Sequence, residues 1–203
     1  QRIPEGHETM PRIVETIVTT TNAEGTPHIA PLGLIEDGDG WIIAPFKPSR
    51  TLDNLIANPF AVASHPGDVR VFAGCVTGRR DWPTVPADVV NGVRLRDAVS
   101  HWELAVAGVT EDDVRPRFHC KLVHVASHAP WSGYNRAEAA VLELAVLTTR
   151  LAMLSPEKID AELDYLKIAI SKTAGPRELE AWGWLMERVE AFRRGDAAAA
   201  RKT

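Results

Sequence analysis

Long hydrophobic runs are missing from this 203-residue chain. Its apolar stretches fall far short of the roughly 20 residues that a membrane-spanning helix needs. A basic block is missing too. The formal net charge is −4 and the pI about 6.0, so the electrostatic footprint of a nucleic-acid binder is absent. Two cysteines, Cys75 and Cys120, cannot make a disulfide framework, and they read as separate buried thiols. Gln1-Arg2-Ile3-Pro4-Glu5 lacks the apolar core of a secretory signal, which leads to the expectation of a cytoplasmic protein with no membrane and no nucleic-acid partner. No Gly-x-Gly-x-x-Gly opens a helix after a strand, and no Gly-x-x-x-x-Gly-Lys-Ser/Thr occurs. A phosphate-bearing cofactor would therefore sit on neither a Rossmann nor a P-loop scaffold. There is no Gly-x-Ser-x-Gly elbow, and Ser, His and Asp are scattered without the setting of a nucleophilic triad.

What is present reads first as strands. Ile13 to Thr21 is dominated by β-branched residues. Asn22-Ala23-Glu24-Gly25 is a turn with Gly25 suited to a positive φ. A second strand runs from Thr26 to Glu36, Asp37-Gly38-Asp39-Gly40 turns again, and Trp41 to Phe46 is a third. Pro27 and Pro31 cannot donate to a ladder, so the second strand is expected to be partly an edge or bulged. A short helix, Thr51 to Ala57, stops at Asn58-Pro59, and Phe60 to Ser64 is a fourth strand. Residues 65–97 read as irregular, with a short apolar piece at Val69 to Cys75. Two long strands follow, His101 to Val109 and Pro116 to Ser127. Six strands with local hairpins suit a small closed barrel.

The character changes near Ala129-Pro130-Trp131. A helix is expected over Asn135 to Leu154. A second is capped by Ser155 with Pro156 first, and carries the stripe Ile159, Leu163, Leu166, Ile170. A third starts at Pro176, with Leu179, Trp182, Leu185, Met186, Val189 and Phe192 at helical spacing. The tail from Gly195 is expected to fray. The division drawn is 1–130 for a barrel domain and 131–203 for a helical lobe, an α+β chain.

The densest chemical signal is Pro45-Phe46-Lys47-Pro48-Ser49-Arg50-Thr51-Leu52-Asp53-Asn54. A stiff loop leads into a helix whose free amides and dipole favour an anion. Arg50 offers a planar fork for phosphate, and Ser49 and Thr51 offer neutral donors. The competing reading is a plain helix cap at Ser49 or Thr51, closed by Asn54. A metal centre is not expected. His119, Cys120, His124 and His128 crowd one segment, but residues four apart on a strand are about 13 Å apart, too far to share one zinc. A flavin mononucleotide needs an anion hole, hydrogen bonds to the ring edge and apolar cover. Ser49-Arg50-Thr51 offers the first, the strand His28-Ile29-Ala30-Pro31-Leu32-Gly33 the second, and Trp131, Trp41 or Phe72 the third, though Trp41 and Phe72 also suit a core.

These segments, in this order, resemble the FMN-binding split barrels, the superfamily of flavin reductases and pyridoxamine-phosphate oxidases. The residues that carry the resemblance are Glu15 to Thr20, Gly25 to Gly33, Pro48 to Leu55, Asp68 to Ala73 and Asn135-Arg136-Ala137. The chain is most similar to an uncharacterised branch with a helical C-terminal extension. The resemblance implies a six-stranded antiparallel split β-barrel and a homodimer with FMN near the subunit interface. It implies a phosphate site at Ser49, Arg50, Thr51 and Asn54, ring-edge contacts from Pro31, Leu32 and Gly33, and a cofactor or interface role for Asn135 and Arg136. The activity it implies is that of an oxidoreductase drawing on NAD(P)H or a small molecule. The alternatives are a non-catalytic flavin carrier, or a barrel with no flavin whose Ser49 segment is only a cap. No general acid is singled out by spacing; His28 and His65 come nearest.

Overall fold

The structure is a computed structural model that describes residues 10–196. The expectations for Gln1 to Glu5 and for the tail past Asp196 lie outside the described residues. The chain divides into two compact units: residues up to 65 with 84–96 and 100–127, and residues 66–83, 97–99 and 128 onward.

The first unit is the barrel. β1 (Ile13–Thr21), β2 (Pro27–Asp37), β3 (Gly40–Ile43), β4 (Phe60–Pro66), β7 (Ala98–Thr110) and β8 (Arg117–Ser127) close in the order β1-β2-β3-β8-β7-β4. The pairings described residue by residue are all antiparallel. β5 (Thr84–Pro86) and β6 (Val93–Leu95) form a separate two-stranded hairpin. α1 (Arg50–Ala57) joins β3 to β4. The chain is thus α+β, as expected from its strand count.

Gly25 holds φ at 81° and Gly38 at 58°, the left-handed region in which only glycine is unstrained. Asn22 Oδ1 accepts the amides of Glu24 and Thr26 and fixes the first turn. The interior is filled by Val18, Leu34, Trp41, Ile43, Leu52, Leu55, Leu104 and Phe118, with Trp41 stacked on Trp102 at 4.6 Å between ring centroids. At Gly40 a Cβ would collide with the Cys120 carbonyl, so β3 and β8 approach this closely only because position 40 has no side chain.

The prolines of β2 act as an edge would require, without a bulge. β2 runs beside β1 in unbroken register, with Pro31 opposite Ile17. Its ladder to β3 covers only Ile35 to Asp37. The bulges lie elsewhere, between Glu103/Leu104 and between Val106/Gly108 on the β7–β8 pair.

Residues 65–97 are more ordered than their irregular sequence suggests. They hold the β5–β6 hairpin and α2 (Arg70–Val76), a helix whose Val71 to Val76 are all buried. In the run Val69 to Cys75 only Arg70 is polar, so helical periodicity barely shows in it. α2 belongs to the second unit, with α3 (Arg136–Thr148), α4 (Pro156–Thr173) and α5 (Pro176–Arg193). α3 stops earlier than its Ala- and Leu-rich sequence suggests, and a short 3₁₀ turn, Leu151–Met153, follows. α4 buries Ile159, Leu163, Leu166 and Ile170 as its periodicity predicts, and Ser155 Oγ caps it through the Lys158 amide. α5 instead buries Ala181, Leu185 and Val189, while Leu179 is exposed. The small Ala181 marks the close contact there, which a search for large apolar residues passes over.

No helix among the described residues is long and apolar enough to cross a membrane.

Candidate functional site

Ser49 is the N-cap of α1, in extended backbone, and its Oγ accepts the Leu52 amide at 3.3 Å. Its carbonyl takes the Asp53 amide. The cap reading is therefore correct as far as it goes. It leaves donors over. Among the described residues, the amides of Arg50 and Thr51 have no acceptor, and the Arg50 guanidinium, exposed to solvent, has neither hydrogen bond nor ion pair. The Thr51 hydroxyl also lacks a partner among the described residues, although Thr51 is only 3% exposed. Two amides, one hydroxyl and one guanidinium at the positive end of a helix dipole make a donor set of the kind that phosphate oxygens fill.

The approach to α1 is braced. The Lys47–Pro48 peptide is cis. The Lys47 amide donates to the Val114 carbonyl. Arg115 donates to the Ala44 carbonyl from Nε and Nη2, at 3.1 and 2.8 Å, and lies over the Phe46 ring at 4.4 Å. Arg115 thus serves the loop, while Arg50 stays uncommitted.

Asn54 faces the barrel instead. It is buried, and its Nδ2 donates to Thr20 Oγ1 at 3.0 Å, tying α1 to β1. It does not close the cap. Pro31, Leu32 and Gly33 lie on the part of β2 beyond the reach of the β3 ladder, half-buried, with the Leu32 carbonyl accepting the Thr16 hydroxyl at 3.0 Å. A Cβ on Gly33 would press on Ile13. In the second unit, Asn135 caps α3. Its Oδ1 takes the amides of Ala137 and Glu138, and its Nδ2 reaches the Thr173 carbonyl at 3.2 Å. Arg136 is the first, exposed residue of that helix.

Among the aromatic residues considered as ring cover, Trp41 and Phe72 are core residues. Trp131 is 65% exposed and meets the still more exposed Tyr134 edge-on. His65 sits edge-on to Trp102 at 4.4 Å and shares a hydrogen bond with Ser100, while its Nε2 is buried without a partner. Burial holds its pKa below the ordinary histidine value, the neighbouring His101 adding to the effect against the Ser100 contact.

The histidine-rich segment of β8 is dispersed. His119 bonds Asp37 and Thr110. Cys120 turns into the barrel core, where burial pushes its thiol up to about 12. Cys75 is likewise a free, buried thiol. His124 stands across from Glu103. A simple strand would put Cys120 and His124 on one face. The extra residue at the β7–β8 bulge reverses that parity.

A family described as "Protein of unknown function (DUF447) N-terminal domain" matches residues 14–129, and its companion, "Protein of unknown function (DUF447)", matches 135–187. The chain belongs to this DUF447 family. Among solved structures, it resembles an FMN-bound DUF447 protein of Methanosarcina mazei at 21% identity and a TM-score of 0.73, covering 87% of this chain and 95% of that one. A 2-nitrobenzoate 2-nitroreductase of Pseudomonas fluorescens is similar at 18% identity and TM-score 0.50, over 63% of this chain and 77% of the other. A flavoredoxin of Methanosarcina acetivorans is similar at 14% identity and TM-score 0.50, over 63% and 75%. At these identities the likeness is one of fold.

Proposed function

We propose that this chain is an FMN-binding flavoprotein, and that it works as an oxidoreductase of the flavin-reductase kind. The observation that carries the reading is the open donor set at the start of α1, with an unpartnered Thr51 hydroxyl and an unpaired Arg50 among the described residues. The M. mazei relative with FMN bound supports the choice of ligand. Ser49, Arg50 and Thr51 would hold the phosphate. Backbone at Pro31 to Gly33 would meet the polar edge of the ring. Bound there, the flavin supplies hydride and electron transfer; this chain contributes position, charge and exclusion of water. Asn135 and Arg136 are assigned to bracing α3, or to a subunit interface in a homodimer with FMN near the seam. The two free, buried cysteines fit a reducing, cytoplasmic setting.

Titrating the protein with FMN tests the cofactor; one FMN per chain is expected, with bound-flavin absorbance. Oxidation of NADH or NADPH by the loaded protein distinguishes an oxidoreductase from a carrier, which would hold FMN and turn over neither. Sedimentation with and without FMN tests the assembly: FMN should tighten the dimer, and a monomer that keeps FMN at full occupancy would refute the shared seam.

A further inference from the structure

A second polar centre lies in the barrel unit, built from Asp88, His101, Glu103 and His124. His101 and Glu103 alternate with Trp102 and Leu104 along β7. Trp102 and Leu104 pack with the barrel core, so His101 and Glu103 stand on the other face, and both are fully buried. The covering segment is the turn between β5 and β6. The Glu103 carboxylate anchors it, with Oε1 taking the Asp88 amide at 2.6 Å and Oε2 the amides of Val89 and Val90 at 2.8 and 2.7 Å. This turn carries Asp88 to the pair, and the β7–β8 register sets His124 directly opposite Glu103.

One ligand atom from each of the four residues lies within 4.8 Å of the other three. His101 Nε2 is 3.0 Å from Glu103 Oε1 and 3.6 Å from Asp88 Oδ2. His124 Nε2 is 3.2 Å from the same Asp88 oxygen. A tetrahedral zinc with bonds of about 2.0–2.1 Å has ligand–ligand edges of about 3.3–3.4 Å. The three separations straddle that edge. Two imidazoles and two carboxylates also bring a charge of about −2, which neutralises a divalent ion. Three backbone amides hold Glu103 in place, as hydrogen-bonded carboxylates that bind metals are held. Asp88 and His124 are partly exposed, with side chains 47% and 32% accessible, and give the ion a way in.

We propose that Asp88, His101, Glu103 and His124 form a binding site for a borderline divalent cation of the zinc class, which fastens the 84–96 segment to β7 and β8. The site is independent of the flavin reading, since none of its residues belongs to the α1 donor set. The alternative occupant of the same geometry is a proton on His101 Nε2, shared with Glu103.

The test uses the full chain, stripped with chelator and titrated with Co²⁺ and Zn²⁺. One Co²⁺ per chain is expected, with the intense visible d–d bands of a tetrahedral N/O site, displaced by one equivalent of Zn²⁺. Zn²⁺ should raise the melting temperature. His124→Gln and Asp88→Asn, both at partly exposed positions, should abolish the bands while leaving the far-ultraviolet circular dichroism and FMN titration unchanged. Wild-type protein that binds no Co²⁺ at micromolar concentration, or binds it as tightly as both variants do, would overturn the proposal in favour of the shared proton.

Discussion

The two units differ in what they bury. The barrel unit buries Thr16, Thr19, Thr20, Thr21, Thr51, Asn54, Asn58, Ser64, His101 and Glu103, whereas Thr148 is the one buried polar residue of α3, α4 and α5. Most of these groups have a partner that explains their burial. Thr16 and Thr19 bond carbonyls of neighbouring strands, Asn54 and Asn58 reach Thr20 and Thr21, and Ser64 takes the Leu95 amide. Such contacts add little net energy but are costly to break, because the partner is left buried and unpaired. The helical unit instead rests on Leu144, Leu163, Leu185 and Val189. One unit is thus specified in good part by directional bonds and holds both candidate sites; the other is specified by volume.

That contrast can be sharpened by mutation. The largest loss is expected for Leu185→Ala, which removes a fully buried side chain between packed helices; transfer and cavity together cost about 3–5 kcal/mol, read by urea denaturation. Asn58→Ala should cost less, about 1–3 kcal/mol, since it unpairs Thr21 Oγ1 and the Asn91 carbonyl but deletes little apolar surface. If Asn58→Ala costs as much as Leu185→Ala, the distinction between the units fails. The smallest effect concerns His65. Burial lowers its pKa from the ordinary 6.5, so the unfolded chain binds the proton at a higher pH than the folded one. Stability should be unaffected above about pH 6.5 and decline as the pH falls towards the folded value. Denaturation curves across pH 5–8 should show a shallower decline for His65→Gln; an identical slope would mean that His65 is not the group that titrates.

The positions of the barrel strands and the first helix could be read from the chain because their signals are local: β-branched runs, glycine turns, and a Ser49 cap before Leu52 and Leu55. The donor set at the start of α1 was legible for the same reason, since Ser49, Arg50 and Thr51 are consecutive. α2 was hidden because six consecutive buried residues, Val71 to Val76, show no polar period. The cluster around Glu103 was hidden because it depends on register. His101-x-Glu103 on one strand face was a readable hint, but Asp88 arrives through a turn and His124 through a bulge, and neither is encoded by spacing. Asn54 shows the opposite error: it stands one turn from the cap in sequence, yet its amide serves Thr20.

The start of α1 is proposed to hold the phosphate of FMN. Calorimetric titration of wild type and Arg50→Ala with FMN and with riboflavin tests it most directly. Expected are tight FMN binding by wild type, a loss of roughly 1.5–3 kcal/mol for Arg50→Ala, about ten- to a hundredfold, and riboflavin binding that is weaker but the same in both proteins. Equal losses for both ligands, or FMN and riboflavin bound alike by wild type, would contradict it.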